Sequence, residues 1–223
     1  MTGDVVVTDF TKRYGSVVAV DDVSLTLSSG SVHVLAGPNG SGKTTLLRAI
    51  ADLTRPSAGT VSTPDVALGY AFQRPNLYPD LTVAGNLDVF DRMVDADPQW
   101  RASLVSRLRL DAVAHRRAGD LSDGFAKKLD LALALLKEPS VLLLDEPLAD
   151  IDDATERRLL DLLADYRRPD RTIVLTSHNL RAVGDLCDRL VVLFDGSVVL
   201  DQRPAETGTT AHAAYAAVLD ERL

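Results

Sequence analysis

Residues 32–53 read VHVLAGPNGSGKTTLLRAIADL, and this stretch limits what the chain can fold into more than any other. An apolar run from Val32 to Ala36 ends in a glycine-rich turn. From Lys43 to Leu53 the apolar residues Leu46, Leu47, Ile50 and Leu53 then return at helical spacing. A strand that passes through glycines straight into a helix leaves the first helical N–H groups unpaired, at the positive end of the helix dipole. Gly37, Pro38, Asn39, Gly40, Ser41, Gly42, Lys43, Thr44 and Thr45 fit G-x-x-x-x-G-K-[ST] at every defined position. Glycines let backbone N–H groups crowd round a phosphate with no Cβ in the way. Lys43 places a point charge on β- and γ-phosphates, and Thr44 offers a hydroxyl to Mg²⁺.

The segment VLLLDEP, residues 141–147, reads as a buried strand ending in two carboxylates. Asp145 suits contact with Mg²⁺, directly or through its ligands. Glu146, one residue on, is placed to accept the proton of an attacking water.

The remainder supports an α/β core. Val5 to Phe10, Val17 to Val20 and Val23 to Leu27 alternate apolar and polar residues between turns at Tyr14-Gly15 and Ser28-Ser29-Gly30, which predicts antiparallel strands. Thr60 to Val66 and Leu68 to Phe72 are expected to form one short hairpin. Pro79 to Lys137 reads as a helical insert, with Trp100, Leu104 and Leu108 four residues apart. After it come a strand at Val141–Leu144, a helix at Ala154–Tyr166, a strand at Thr172–Thr176 and a helix at Asn179–Asp188. A hairpin turning at Asp195-Gly196 and a helical tail from Thr210 to Leu223 complete the chain. The expectation is one domain over residues 1–223 with the helical part inserted at approximately 79–137.

A formal charge of −8 argues against nucleic acid as the main partner, because phosphate backbones are gripped by clustered Lys and Arg. The apolar runs stop well short of a membrane span, and Met1-Thr-Gly-Asp does not open a secretory signal, so a cytosolic protein is expected. The single cysteine, Cys187, has no partner for an internal disulfide; with Leu180, Val183 and Leu190 it is expected on one face of a helix, as a buried structural thiol.

With these residues in hand, the chain resembles the nucleotide-binding subunit of ABC transporters over nearly its whole length. The resemblance implies a phosphate-loop core with an N-terminal antiparallel β subdomain and an inserted α-helical subdomain. It implies that Tyr14 stacks on adenine and that Gly37 to Thr45 hold the phosphates of ATP. Gln73 would touch Mg²⁺, with Thr44 and Asp145 as its other protein contacts, and would relay to a membrane partner. Leu121 to Phe125 match the signature turn, whose Ser122 and Gly124 would face the γ-phosphate of a second subunit. Glu146 and His178 would act in catalysis, and Ala149 to Asp152 would form the loop across the dimer. The implied partners are membrane-spanning permease subunits and a second ATP-binding chain, in a homodimer or a heterodimer held head to tail. That places the chain in the cytoplasm, peripheral on the inner face of the cell membrane. LYPDLTVAGNL, which follows Gln73, resembles exporter-type subunits. Two other readings use the same core: a soluble ABC-type ATPase, and a nucleotide-dependent switch with little hydrolysis.

The signature turn departs from the family's Leu-Ser-Gly-Gly-Gln. Here it reads Leu121-Ser122-Asp123-Gly124-Phe125. A carboxylate about 6 Å from a phosphate charge, at an effective dielectric of ~20, is repelled by roughly 3 kcal/mol. Unopposed, that weakens closure on ATP by about two powers of ten. Lys127 stands four residues on, at helical pairing distance, and an exposed pair of that kind returns only ~0.3–0.5 kcal/mol. Asp123 also suits a helix start. The turn therefore serves either a slow homodimer or a heterodimer whose other subunit carries an intact signature.

Overall fold

A computed structural model describes residues 3–222. β1 (Val5–Tyr14) and β2 (Val17–Leu27) form an antiparallel hairpin that turns at Gly15. The polar interruptions that read as strand breaks are bulges instead. Asp9 and Asp22 take positive φ where the register shifts, and their N–H groups are met by Ser24 Oγ (2.8 Å) and Thr11 Oγ1 (3.1 Å).

β3 (Val32–Ala36) leads through the glycine loop into α1 (Lys43–Ile50). β4 (Ala58–Ser62) then joins the far side of β1, and β5 (Leu68–Ala71) opens a second sheet beside β6 (Val141–Leu144). The expected hairpin of Thr60–Val66 with Leu68–Phe72 is thus incorrect. Pro64 and Asp65 carry the chain from one sheet to the other, and each strand finds a distant partner, β1 for β4 and β6 for β5. Between Pro79 and Lys137 lie α2 (Val83–Val94), α3 (Pro98–Arg107) and α4 (Asp123–Leu135), linked by turns, as the periodicity predicts.

α5 (Asp153–Tyr166), capped by the Asp152 carboxylate on Thr155 N–H (2.9 Å), returns to β7 (Thr172–Thr176). The helix expected over Asn179–Asp188 is shorter: α6 spans only Leu180–Val183 and gives way to a 3-10 turn at Gly184–Leu186. The chain has to straighten there, because Asp188 is clipped to β3 by Val32 N–H on its carboxylate (2.8 Å) and by its own N–H on Val32 C=O (3.0 Å). Cys187 therefore lies in extended chain beyond the helix, half-buried, its thiol pushed up to about 12 chiefly by burial. β8 (Arg189–Phe194) and β9 (Ser197–Gln202) form the last hairpin on Asp195-Gly196, both at positive φ. α7 (Pro204–Thr207) and α8 (Ala211–Arg222) end the described chain.

The large sheet has the order β5-β6-β7-β3-β8-β9 and is parallel except for β9. Its strands alternate between two apolar layers. Val34, Leu142, Leu144 and Leu175 meet the helices α2 to α5, whereas Leu35, Leu143, Val174 and Val191 meet α1 and the antiparallel sheet. Covering on both faces explains why these strands are apolar throughout. Because β3, β5, β6 and β7 run the same way, the segments after them, starting near Gly37, Gln73, Asp145 and Ser177, emerge at one edge of the sheet.

α4 packs so closely on β5 that a Cβ at Gly69 would lie 2.2 Å from Ala134 C=O and 2.8 Å from Pro139 Cγ. Gly69→Ala is therefore expected to cost about 1–3 kcal/mol through overpacking. Urea unfolding at constant slope checks this; an unchanged midpoint would show that the helix can move away.

Candidate nucleotide site

The glycine loop is held by close packing of its backbone as well as by the Lys43 side chain. Gly37 sits at φ 144°, where a Cβ would come 2.1 Å from Leu193 C=O, and Gly42 at φ 103°, where it would come 2.5 Å from Ala19 C=O. Gly42 also caps α1 with no side-chain hydrogen bond, and the first turn of that helix carries no acid. Its dipole is open toward the cleft. Ser41 Oγ is buried without a hydrogen-bond partner among the described residues.

Lys43 is buried, and its ammonium donates to Gly37 C=O (2.8 Å) and Pro38 C=O (3.0 Å). Burial lowers its pKa, while Glu146 and Asp145 act to raise it. Asp145 Oδ1 accepts from Thr44 Oγ1 (3.0 Å) and from Thr176 Oγ1 (2.9 Å). Thr176 Oγ1 in turn accepts Glu146 N–H (2.7 Å), so one hydroxyl fixes both acids. Glu146 takes a positive φ of 49°, which turns it off the end of β6. Its carboxylate is 8% exposed and lies 3.0 Å from His178 Nδ1, on a ring that is 61% exposed.

A cleft of about 360 Å³ unites these groups. Tyr14, Ala19, Asn39, Gly40, Ser41, Gly42, Lys43, Thr44, Thr45, Gln73 and Glu146 line it. Of the residues singled out in the sequence, Gly37 and Pro38 stand behind it as carbonyl acceptors, and Asp145 is reached through Thr44. Ser122 and Gly124 are not part of this cleft: Ser122 is the N-cap of α4, and Gly124 has open space where a Cβ would be. Tyr14 is exposed at the rim, with Lys12 Nζ 5.0 Å from its ring centroid.

A second cavity, about 220 Å³, is lined by Gln73, Arg74, Pro75, Asp123, Lys127, Ala149 and Asp150. Lys127 does not pair with Asp123 as the four-residue spacing predicts. It donates instead to Glu146 C=O (3.2 Å) and Ala149 C=O, and Asp123 stays exposed with no ion pair among the described residues. Two backbone carbonyls in a half-buried position hold the ammonium more firmly than one exposed acid does. Sequence reading also passed over Thr176 and Asp130. Thr176 was legible as a hydroxyl at the end of an apolar strand. Asp130 stood out only as an acid within LDLALALL.

A glycine loop with a buried ammonium at the start of a helix, beside two acids at the end of a parallel strand, is the arrangement of the phosphate-loop nucleoside triphosphatases. The sequence pattern of the family described as ABC transporter matches residues 20–149. The chain belongs to that family: it is an ATP-binding, ATP-hydrolysing cassette of the kind found in ABC transport systems. It is 39% identical over 221 residues to the phosphonates import ATP-binding protein PhnC 1 of Natronomonas pharaonis, covering 89% of this chain and 93% of that one. It is 36% identical over 208 residues to the Nod factor export ATP-binding protein I of Burkholderia lata, covering 86% of this chain and 68% of that one. Among solved structures, an ATP binding subunit of an ABC transporter superposes with a TM-score of 0.85 at 22% identity, over 97% and 98% of the two chains. A dimeric bacterial ABC transporter cassette gives 0.79 at 23%, over 89% and 98%. At such identities the likeness speaks to the fold, and it is the α/β phosphate-loop core with an antiparallel β subdomain and an inserted helical subdomain that the resemblance implies.

Proposed function

We propose that this chain, as a single domain over residues 1–223, powers a membrane transport system from the inner face of the cell membrane. Membrane-spanning permease subunits would be its partners. The observation that carries this reading is the convergence of Lys43, Thr44, Gln73 and Glu146 on one cleft at the open start of α1. ATP enters with its phosphates on the Gly37–Thr45 amides and its adenine against Tyr14. Lys43 exchanges its two carbonyl contacts for phosphate oxygens, and Glu146 takes a proton from the water that attacks the γ-phosphorus as ADP departs. His178, already 3.0 Å from that carboxylate, orients it and reaches the phosphate.

The donor set fits Mg²⁺. The Thr44 hydroxyl and the Asp145 carboxylate are 3.0 Å apart, Gln73 lines the same cleft, and no cluster of three or more His, Cys, Asp or Glu exists among the described residues. That is what a hydrated ion shared with phosphates needs, rather than a protein cage. When bound, the ion neutralises charge on the β- and γ-oxygens.

Among the described residues no helix is long and apolar enough to cross a membrane; in this reading the permease holds the chain at the membrane. The relatives include both an importer and an exporter by name; LYPDLTVAGNL favours export. Ser122 and Gly124, standing apart from the cleft of their own chain, would cover the ATP of a facing subunit. Because Lys127 is engaged elsewhere, the Asp123 charge has no ion-pair partner among the described residues, and this favours a heterodimer over a self-pair.

Replacing Asp123 by glycine is expected to tighten ATP-driven self-association of a Glu146→Gln background by up to about a hundredfold. Sedimentation in Mg·ATP checks it. No change would show that the carboxylate does not meet the nucleotide of a facing copy.

A further inference from the structure

Gln73 sits on an irregular segment between β5 and α2, so neither a sheet ladder nor a helix fixes it. Asn86 of α2 holds the far end of that segment at Tyr78, whereas the part around Gln73 is held by a side chain from α4. Asp130, 4% exposed on α4, accepts Phe72 N–H on Oδ2 at 2.6 Å and Asn76 N–H on Oδ1 at 3.0 Å. The two oxygens close residues 72–76 into a loop with Gln73 inside it. α4 is in turn locked onto β5 at Gly69, so the carboxylate cannot drift relative to the strand that feeds the loop.

One turn earlier on the same helix, Lys127 donates to the carbonyls of Glu146 and Ala149. An anion meets amides and a cation meets carbonyls, each the matched partner. The helix that begins at Asp123 thus grips both segments that carry groups of the nucleotide cleft, Gln73 on one side and Glu146 on the other.

We propose that Asp130 is a positioning residue for ATP hydrolysis, and that through it and Lys127 helix α4 sets Gln73 and Glu146 together. The inference rests on the ATPase reading above. Burial pushes the Asp130 carboxyl up to about 6, against the pull of the two amides. An acid whose pKa rises on folding makes the folded state less stable as pH climbs through that range, and the cost persists above it. Tyr70 and Lys137 are the other titratable side chains lining the groove over Asp130. At pH 7.5 the ionised group therefore costs stability relative to its protonated form.

The test is Asp130→Asn in the full chain, which keeps the shape and one acceptor. The expected result is a kcat lower by about tenfold, the loss of one charge-assisted contact. ATP affinity should stay within about twofold, and Tm at pH 7.5 unchanged or higher. Amide exchange at Phe72 and Asn76, followed by NMR, should quicken by about tenfold while core strands keep their rates. Unchanged exchange at these two amides overturns the proposal, as does an unchanged kcat in a preparation whose wild type hydrolyses ATP. Parallel losses of Tm, affinity and kcat would show a merely structural role. If the wild type itself does not hydrolyse ATP, the functional reading fails first, and the exchange rates still decide whether Asp130 holds the loop.

Discussion

Glu146→Gln is expected to lower steady-state ATP hydrolysis by about 10²–10⁴-fold, the span of a lost general base. The amide has the size of the carboxylate and can keep its place beside His178, and the backbone N–H remains bound to Thr176 Oγ1. What disappears is the capacity to take a proton from water. Because Glu146 makes none of the contacts assigned to the phosphates, ATP affinity should change by no more than a few fold, and nucleotide should accumulate unhydrolysed on the protein. A variant as fast as the wild type would remove Glu146 from the chemistry. Equal, near-zero rates in both would make the chain a nucleotide-dependent switch instead.

Lys43→Ala carries the second large effect. The ammonium is buried at the mouth of the loop and bonded to two carbonyls of that loop, a posture it can leave for a more attractive anion. Charge-assisted hydrogen bonds contribute about 1.5–3 kcal/mol, so its removal should weaken Mg·ATP binding by roughly 10–150-fold. The loop itself is held by the close packing of Gly37 against Leu193 and of Gly42 against Ala19, so the fold should survive. Calorimetric titration of both proteins checks this; matched affinities would mean that the phosphates lie elsewhere.

The nucleotide loop was legible because its chemistry dictates residue type at each position: glycine where backbone must approach, lysine and threonine where charge and hydroxyl are required. Asp145 and Glu146 were legible for the same reason, as acids ending an apolar strand. What escaped was information held in tertiary partners. The segments Thr60–Val66 and Leu68–Phe72 look locally like a hairpin, yet each is bound to a strand far away in the chain. Asp130 reads as an isolated acid on an apolar helix until the amides of Phe72 and Asn76 are brought to it. The spacing of Asp123 and Lys127 is right for an ion pair, but the carbonyls of Glu146 and Ala149 outcompete the exposed acid. The helix expected through Cys187 ends early because Asp188 has to clip onto β3.

The proposed function requires a triphosphate resting on the amides between Gly37 and Thr45. Hydrogen exchange along the whole chain, measured with and without Mg·ATP on the Glu146→Gln variant, tests this directly. The predicted result is strong protection of residues 40–45 on adding nucleotide, absent when Lys43 is also replaced by alanine. Protection confined to other segments, or the same pattern with Lys43 replaced, would contradict it.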